Sequence, residues 1–538
     1  MKYFSMLLTI AVFAFFASDY TYSGKNVYVW FNSSTVKFVN NWLIEGPVNI
    51  NFVMYENYPS VEFNSIDERE AYISFPSGAV IPPYLCAKML NKSKIDINFL
   101  GGYNKFNCVL SSILACMFFY GFLTRGLRIG EKNTVIAISL ILSAAWAIMP
   151  VNLMFLRNHY FSEQASVPLM LMFLVTEIYG DSIKRKSKTL RNLYQIFLFL
   201  LIFMGTITDY CFLSLVFVAW LVRIYSEAKK ADNKLKAVVD TSWLYVLPVI
   251  AGLAFFLWQI SGVPNHWEIL KNRWEVRTYG HSSFEGDIGK VNLFELADMK
   301  FRTCHGTIGS IFFLLAVLFI VIYYFKYVFR KSVHDERIDN LMKFSIIIFV
   351  SPLLHALVFF NYTAVHYHTM LKFALPFVFA ILTTSFLISE IRRLKTVFGI
   401  SEILFFVIIF SLQVIYIDFN RSRDWFHFRF KTSNATEIAL LVRDNHSFND
   451  VFASFTDSIG ANPPTQLVVA GKRVYMIDNE TDIQKKFPHL NPAATINYII
   501  DKDDSFKTPE IIAKEQNIVK RAKIRCSSRH FNIYELNE

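Results

Sequence analysis

The sequence predicts a mainly α-helical, polytopic membrane bundle followed by an extracytoplasmic α/β domain. Three observations carry that reading. Hydrophobic residues make up 54% of the 538, mean hydropathy is +0.34 and Phe alone occurs 54 times, more apolar surface than a soluble chain of this length can bury. Long apolar runs recur from the N-terminus to about residue 417. After 418 they give way to short β-rich runs alternating with helical stretches, the pattern of a small α/β unit.

The elements follow in order. The first apolar run, 4–17, comes after Lys2. Its length suits a signal peptide, but Ala14 to Ser18 makes a weak cleavage site, which favours an uncleaved first helix. Either way residue 19 onward lies outside the cytoplasm. A polar and aromatic segment, 18–105, comes next. It contains Asp19, the Trp42–Pro47 run, the acidic string Asp67-Glu68-Arg69-Glu70 and the stretch Ser74–Tyr84. Pro76, Gly78, Pro82 and Pro83 exclude a regular spanning helix over 72–84, so this stretch reads as an apolar segment in or on the outer leaflet. Further runs lie at 107–124, 134–154, 165–180, 193–208, 210–225, 243–261, 307–325, 342–360, 372–389 and 399–417. Most reach the roughly 20 residues that a spanning helix needs. With the pair around Thr208-Asp209-Tyr210 counted as two helices rather than one bent one, there are about eleven spans.

Charge orients them. Loops 125–133, 181–192, 222–242, 326–343 and 390–398 hold Lys and Arg clusters. They are alternate loops, so they share one side, the cytoplasm. The net charge of +11 therefore reflects membrane topology and not nucleic-acid binding. The outer side receives 19–106, 155–164, the turn at Asp209, 262–306, 361–371 and everything after 418, together with the Asn-x-Ser/Thr sequons. The reading is an integral protein of the cell inner or plasma membrane with a cytoplasmic N-terminus. Its parts are a transmembrane domain, 1–418, with a large first outer loop at 19–106, and a soluble outer domain, 419–538. Six dispersed cysteines with no CxxC give neither a zinc site nor a disulfide framework; a single bridge among Cys86, Cys304 and Cys526 stays open.

The candidate chemistry sits on the outer face. Asp19 directly follows the first helix, and Glu163 stands in the short turn Leu156–Gln164 beside His159. Two carboxylates and a histidine at one membrane face suit deprotonation of a hydroxyl nucleophile. Glu163 is equally suited to a helix N-terminus, where the dipole favours an acid. Asp67 and Glu68 are either further carboxylates for the site or a solvated helix face. Arg157, His366, His368 and Lys372 run against the positive-inside trend and could hold a phosphate or pyrophosphate; alone, each also fits a snorkelling interfacial group. His305 and His355 read as structural, and Asp501–Asp504 as a solvated loop. No cluster has metal-ligand spacing, so no cofactor is assigned and a divalent metal stays open.

The layout resembles the GT-C class of membrane glycosyltransferases, nearest the family 39-like group of protein O-mannosyltransferases and lipid A aminoarabinose transferases. The segments that carry the resemblance are Asn41-Trp42-Leu43-Ile44-Glu45-Gly46, Tyr72–Gly78, Arg157–Glu163, Met204–Tyr210 and His368–Pro376. It spans the whole chain through loose motifs. It implies a GT-C bundle and transfer of a sugar from a polyprenyl-phosphate-linked donor to a lipid, glycan or protein acceptor on the outer face. It also implies that the base is an acid of the first outer loop. Asp19 matches by position, but the chain lacks the usual acidic pair there, which keeps Asp67 and Glu68 as alternatives. The rival class is a flippase or transporter of lipid-linked glycans. Transporters carry ionisable residues near mid-membrane, and here the span centres hold almost none apart from His355.

Overall fold

A computed structural model describes residues 2–18, 28–55, 71–149, 151–156, 160–184, 187–278, most of 310–322, 336–365, 367–391, 441, 450–455, 474–486, 495–505 and 507–536. The bundle is built from α1 (Lys2–Ala17), α4 (Ile97–Gly121), α5 (Lys132–Ala147), α6 (Ser162–Lys184), α7 (Lys188–Thr206), α8 (Tyr210–Lys230), α9 (Lys234–Ile260), α11 (Glu336–Val358) and α13 (Ala374–Ile391). Among the described residues seven helical stretches are long and apolar enough to cross a membrane, with α1 and α5 shorter. The chain is thus an integral membrane protein. The expected span at 399–417 lies outside the described residues.

Local chemistry sets the helix starts. Asp96, Ser187, Asp209 and Asn233 cap α4, α7, α8 and α9, each side chain accepting a first-turn N–H, as short polar residues do at N-caps. The core is an aromatic lattice in which Phe118, Phe122, Phe344 and Phe379 pack ring to ring at 5.1–6.2 Å.

The segment between α1 and α4 is a layer in its own right. It runs from α2 (Tyr28–Glu45) through a two-stranded pair, β1 (Met54–Tyr55) and β2 (Ala71–Tyr72), to α3 (Ile81–Met89). Trp42 is fully buried and its indole N–H donates to the Val53 carbonyl at 3.0 Å; Asn40 holds Ile95 by both its N–H and its carbonyl. Within the 72–84 stretch, residues 73–80 are buried against protein, as for a segment that caps the bundle. A non-helical backbone at this depth needs protein partners for its polar groups, and it has them: Tyr160 OH donates to the Ala79 carbonyl at 3.0 Å, and Gly78 N–H to the Ile207 carbonyl at 2.7 Å. Pro82 and Pro83 then open α3 in its first turn, where their missing N–H groups cost nothing.

The C-terminal part forms a five-stranded mixed sheet in the order β4 (Val474–Met476), β3 (Asp450–Ser454), β5 (Thr495–Asp501), β7 (Phe531–Leu536), β6 (Ala522–Ser527). The three strands β4, β3 and β5 are parallel, and β7 and β6 add antiparallel. Helix α15 (Pro509–Arg521) packs on it through Ile518. The acidic run at 501–504 is not simply solvated. Lys507 Nζ reaches Asp504 at 2.8 Å and the buried Glu515 at 2.6 Å, and donates to the Asp501 carbonyl. Cys86 and Cys526 are free thiols, and Cys304 lies outside the described residues.

A Cβ on Gly78 would stand 2.6 Å from Thr208 Oγ1 and press on the Ile207 carbonyl. We therefore expect Gly78→Ala to destabilise the detergent-solubilised protein by about 1–3 kcal/mol, read as a lowered thermal midpoint. Gly102→Ala, with nothing within 4 Å of the added carbon, leaves the midpoint unchanged or raised.

Candidate functional site

Five helix ends converge on one cavity. The break between α7 and α8 supplies Asp209, the start of α6 supplies Glu163 and Ser166, α11 supplies His355, and the turn entering α13 supplies Lys372. The cavity has about 40 Å³ of room and an otherwise apolar wall that includes Val167, Leu171, Leu215 and Ile348.

Asp209 does two jobs from one position. As the N-cap of α8, its Oδ1 accepts the Cys211 N–H at 3.0 Å. Its Oδ2 lies 3.2 Å from Ser166 Oγ, which is also 2.9 Å from the Glu163 carbonyl oxygen. The Ser166 hydroxyl is the donor to both oxygens, its one proton shared between the Asp209 carboxyl and the Glu163 carbonyl. Burial first, and the Glu163 charge second, push the Asp209 carboxyl from 3.8 up to about 7; the Cys211 N–H, Lys372 and Ser166 pull the other way. A carboxyl pushed up by burial toward neutrality is in the range that suits proton transfer.

Glu163 is buried in the first turn of α6, where Tyr362 OH and Ser162 Oγ (3.0 Å) both donate to its carboxylate. Burial, and then Glu163, raise the Tyr362 phenol well above 10.0, so it stays a donor. Lys372 Nζ donates to His355 Nδ1, which leaves the imidazole neutral with its proton on Nε2. No carboxylate lies within ion-pair distance of Lys372 among the described residues. A buried cation whose partner is a neutral ring is suited to an incoming anion.

An aromatic lid covers this group. Phe75 stacks on Tyr210, Tyr210 on Phe359, and Trp274 meets Phe359 edge-on, with centroids 5.2–5.8 Å apart. Arg277, the last residue of α10 (His266–Arg277), sets its guanidinium 4.0 Å over the Phe75 ring and 5.2 Å over that of Tyr362. It also donates to the Ser74 carbonyl at 2.6 Å.

Of the residues singled out from sequence, the structure brings Glu163 and Lys372 into the same cavity. Asp19, Asp67, Glu68, Arg157, His159, His366 and His305 lie outside the described residues, and of His368 only the backbone is described. His355, which reads as structural, is buried, hydrogen-bonded to Lys372 and part of the cavity wall. Arg277 was not anticipated, because nothing in the spacing of loop 262–306 ties it to Phe75. Asp209 was visible only as a break between helices; an acid at such a break within a membrane chain was the available signal. Among the described residues no group of three or more His, Cys, Asp or Glu is placed to hold a metal ion.

No protein-family model matches the chain, and no curated protein matches it in sequence. Solved structures do. The apo oligosaccharyltransferase of Archaeoglobus fulgidus superposes with a TM-score of 0.51 at 10% identity, over 93% of this chain and 69% of that one. ArnT from Cupriavidus metallidurans, apo and bound to undecaprenyl phosphate, gives 0.47 at 8% identity, over 99% and 97%. The likeness is one of fold: the chain has the GT-C architecture.

The Asp209 titration has a thermodynamic consequence. The carboxyl ionises near 3.8 when unfolded and near 7 when folded, so between those values the folded state binds the extra proton. Stability should fall as pH rises from about 4 to about 7, by up to about 1.4 kcal/mol per pH unit, and level off above. Thermal melts across that range check this. Asp209→Asn should flatten the slope.

Proposed function

We propose that this chain is a membrane glycosyltransferase that moves a sugar from a polyprenyl-phosphate-linked donor to a lipid, glycan or protein acceptor at the outer face. One observation carries most of the reading. Two buried carboxyl groups and a buried lysine–histidine pair meet in one enclosed cavity in a GT-C fold. Acids beside a cation in a low-dielectric site are what acceptor activation and phosphate departure both require. The charge distribution supports the orientation, with a cytoplasmic N-terminus and residues 419–538 as an outer domain.

The chemistry is a single inverting displacement. A carboxylate of the first outer loop, Asp19 or else Asp67 or Glu68, takes the proton of the acceptor hydroxyl or amine. The acceptor atom bonds to the anomeric carbon from the face opposite the leaving group. The bond from that carbon to the phosphate oxygen breaks, and its electron pair leaves with the polyprenyl phosphate. Lys372, oriented by His355, receives that charge together with Arg157, His366 and His368. Glu163, oriented by Tyr362 and Ser162, positions the acceptor with His159. Asp209 caps α8 and, through Ser166, holds the start of α6 and with it Glu163 in place. The aromatic lid excludes water, which would otherwise hydrolyse the donor.

A transporter of lipid-linked glycans is less well supported. His355 was the ionisable group at a span centre that most favoured it, and it is committed to Lys372 within the acid-lined cavity.

The test is transfer of radiolabelled sugar from a polyprenyl phosphate donor to endogenous acceptors in membranes carrying each variant. Asp19→Asn, Glu163→Gln and Lys372→Met should each lower the rate by at least about 100-fold without changing expression or the thermal midpoint. Full activity in both acid variants would overturn the assignment.

A further inference from the structure

A second cavity lies at the other end of the bundle. Its walls come from the start of α1, the ends of α4 and α6 and the start of α7, and it holds about 640 Å³, within the roughly 300–1,000 Å³ range of ligand pockets. Glu163 opens α6, whereas Tyr179 on the cavity wall is 16 residues later in the same helix. At ~1.5 Å per residue the two lie about 24 Å apart along the helix axis, so this space is separate from the acid-lined site.

Its lining is graded. On the lipid side it opens past Leu190, Leu193 and Phe197, which are 40%, 57% and 46% exposed. Toward the helix ends it is lined by Tyr3, Tyr120, Tyr179 and Tyr194. The tyrosines are seated closely: Tyr3 meets Tyr120 at 4.9 Å between ring centroids, and a Cβ on Gly121 or Gly180 would strike Tyr179 or Tyr194. An apolar trough ending in phenol groups matches the profile of a bilayer from acyl chains to headgroups. At that end stands Arg125, its guanidinium 4.4 Å over the Tyr179 ring and hydrogen-bonded to Ser182. No carboxylate lies within ion-pair distance of it among the described residues. Lys188 and Arg191, both exposed, open α7 beside it.

We propose that this cavity binds an anionic phospholipid of the cytoplasmic leaflet, with an acyl chain along Leu193 and Phe197 and the phosphate at Arg125. The identity of the leaflet rests on the orientation proposed above; the binding chemistry does not. The lipid would fill the space between α1 and α7.

The test uses the full chain in nanodiscs of phosphatidylcholine with phosphatidylglycerol, carrying the photoreactive benzoylphenylalanine in place of Leu193. Intact-mass analysis after illumination reads the adduct. The expected result is phosphatidylglycerol adduct well above its share of the bilayer, falling by about fivefold in Arg125→Gln and again in Lys188→Gln, as each charge removed weakens attraction for anionic lipid. Adducts in proportion to bilayer composition and unchanged by either substitution mean ordinary annular lipid and overturn the proposal. So does a crosslink to another segment of this chain. The adduct is read without turnover, so its failure leaves the transferase reading standing, and failure of that reading leaves the adduct result intact.

Discussion

The site depends on one backbone hydrogen bond across a space with no room for a side chain. Helices α7 and α8 break at Ile207–Asp209, and a helix end within a membrane protein leaves carbonyls and N–H groups that lipid cannot satisfy. Gly78 N–H takes the Ile207 carbonyl at 2.7 Å, while the Asp209 side chain takes the Cys211 N–H. The first outer loop is therefore docked on the break, and the residue that caps the second helix is the one that faces the cavity. From Asp209 the chain of contacts runs to Ser166, to Glu163 and to Tyr362, which lies under Arg277. The loop, five helix ends and the lid thus share one contiguous network, and moving Gly78 would disturb all of it.

The electrostatics of the cavity explain why it is built from partly matched charges. A buried salt bridge between Lys372 and either acid would cancel the field that a phosphate could use, at a desolvation cost of its own. Instead the lysine is held by the His355 ring, one acid accepts from two hydroxyl donors, and burial pushes the other up toward neutrality. Charges kept apart in a dry site are poised for a substrate that carries the opposite sign in one place and an exchangeable proton in another.

Much of this was legible in the chain, for identifiable reasons. Apolar length marks spans because hydrocarbon forces backbone satisfaction within each helix. Glu163 and Lys372 stood out because charged residues beside outer-face helix ends need a reason to be there. The edge strand β6 carries no signal of its own in the chain, because Ala522–Ser527 follows α15 without a Gly or Pro to separate them. Its exposed edge position also leaves it without a clear apolar alternation. The pairing of His355 with Lys372 was not legible, because the position of His355 along α11 says nothing of a residue 17 positions away and across a turn.

By itself the sequence determined the membrane class, the alternation of basic and acid-bearing loops and the position of each apolar run. These follow from local composition and from charge, which act residue by residue. Only the tertiary structure decided which polar groups share a cavity, that the 72–84 stretch is buried against protein, and that Arg277 crowns the lid. Those facts depend on contacts between residues far apart in the chain, such as Gly78 with Ile207 and Glu163 with Tyr362. A linear pattern carries no record of such distances; close packing of helix ends creates them.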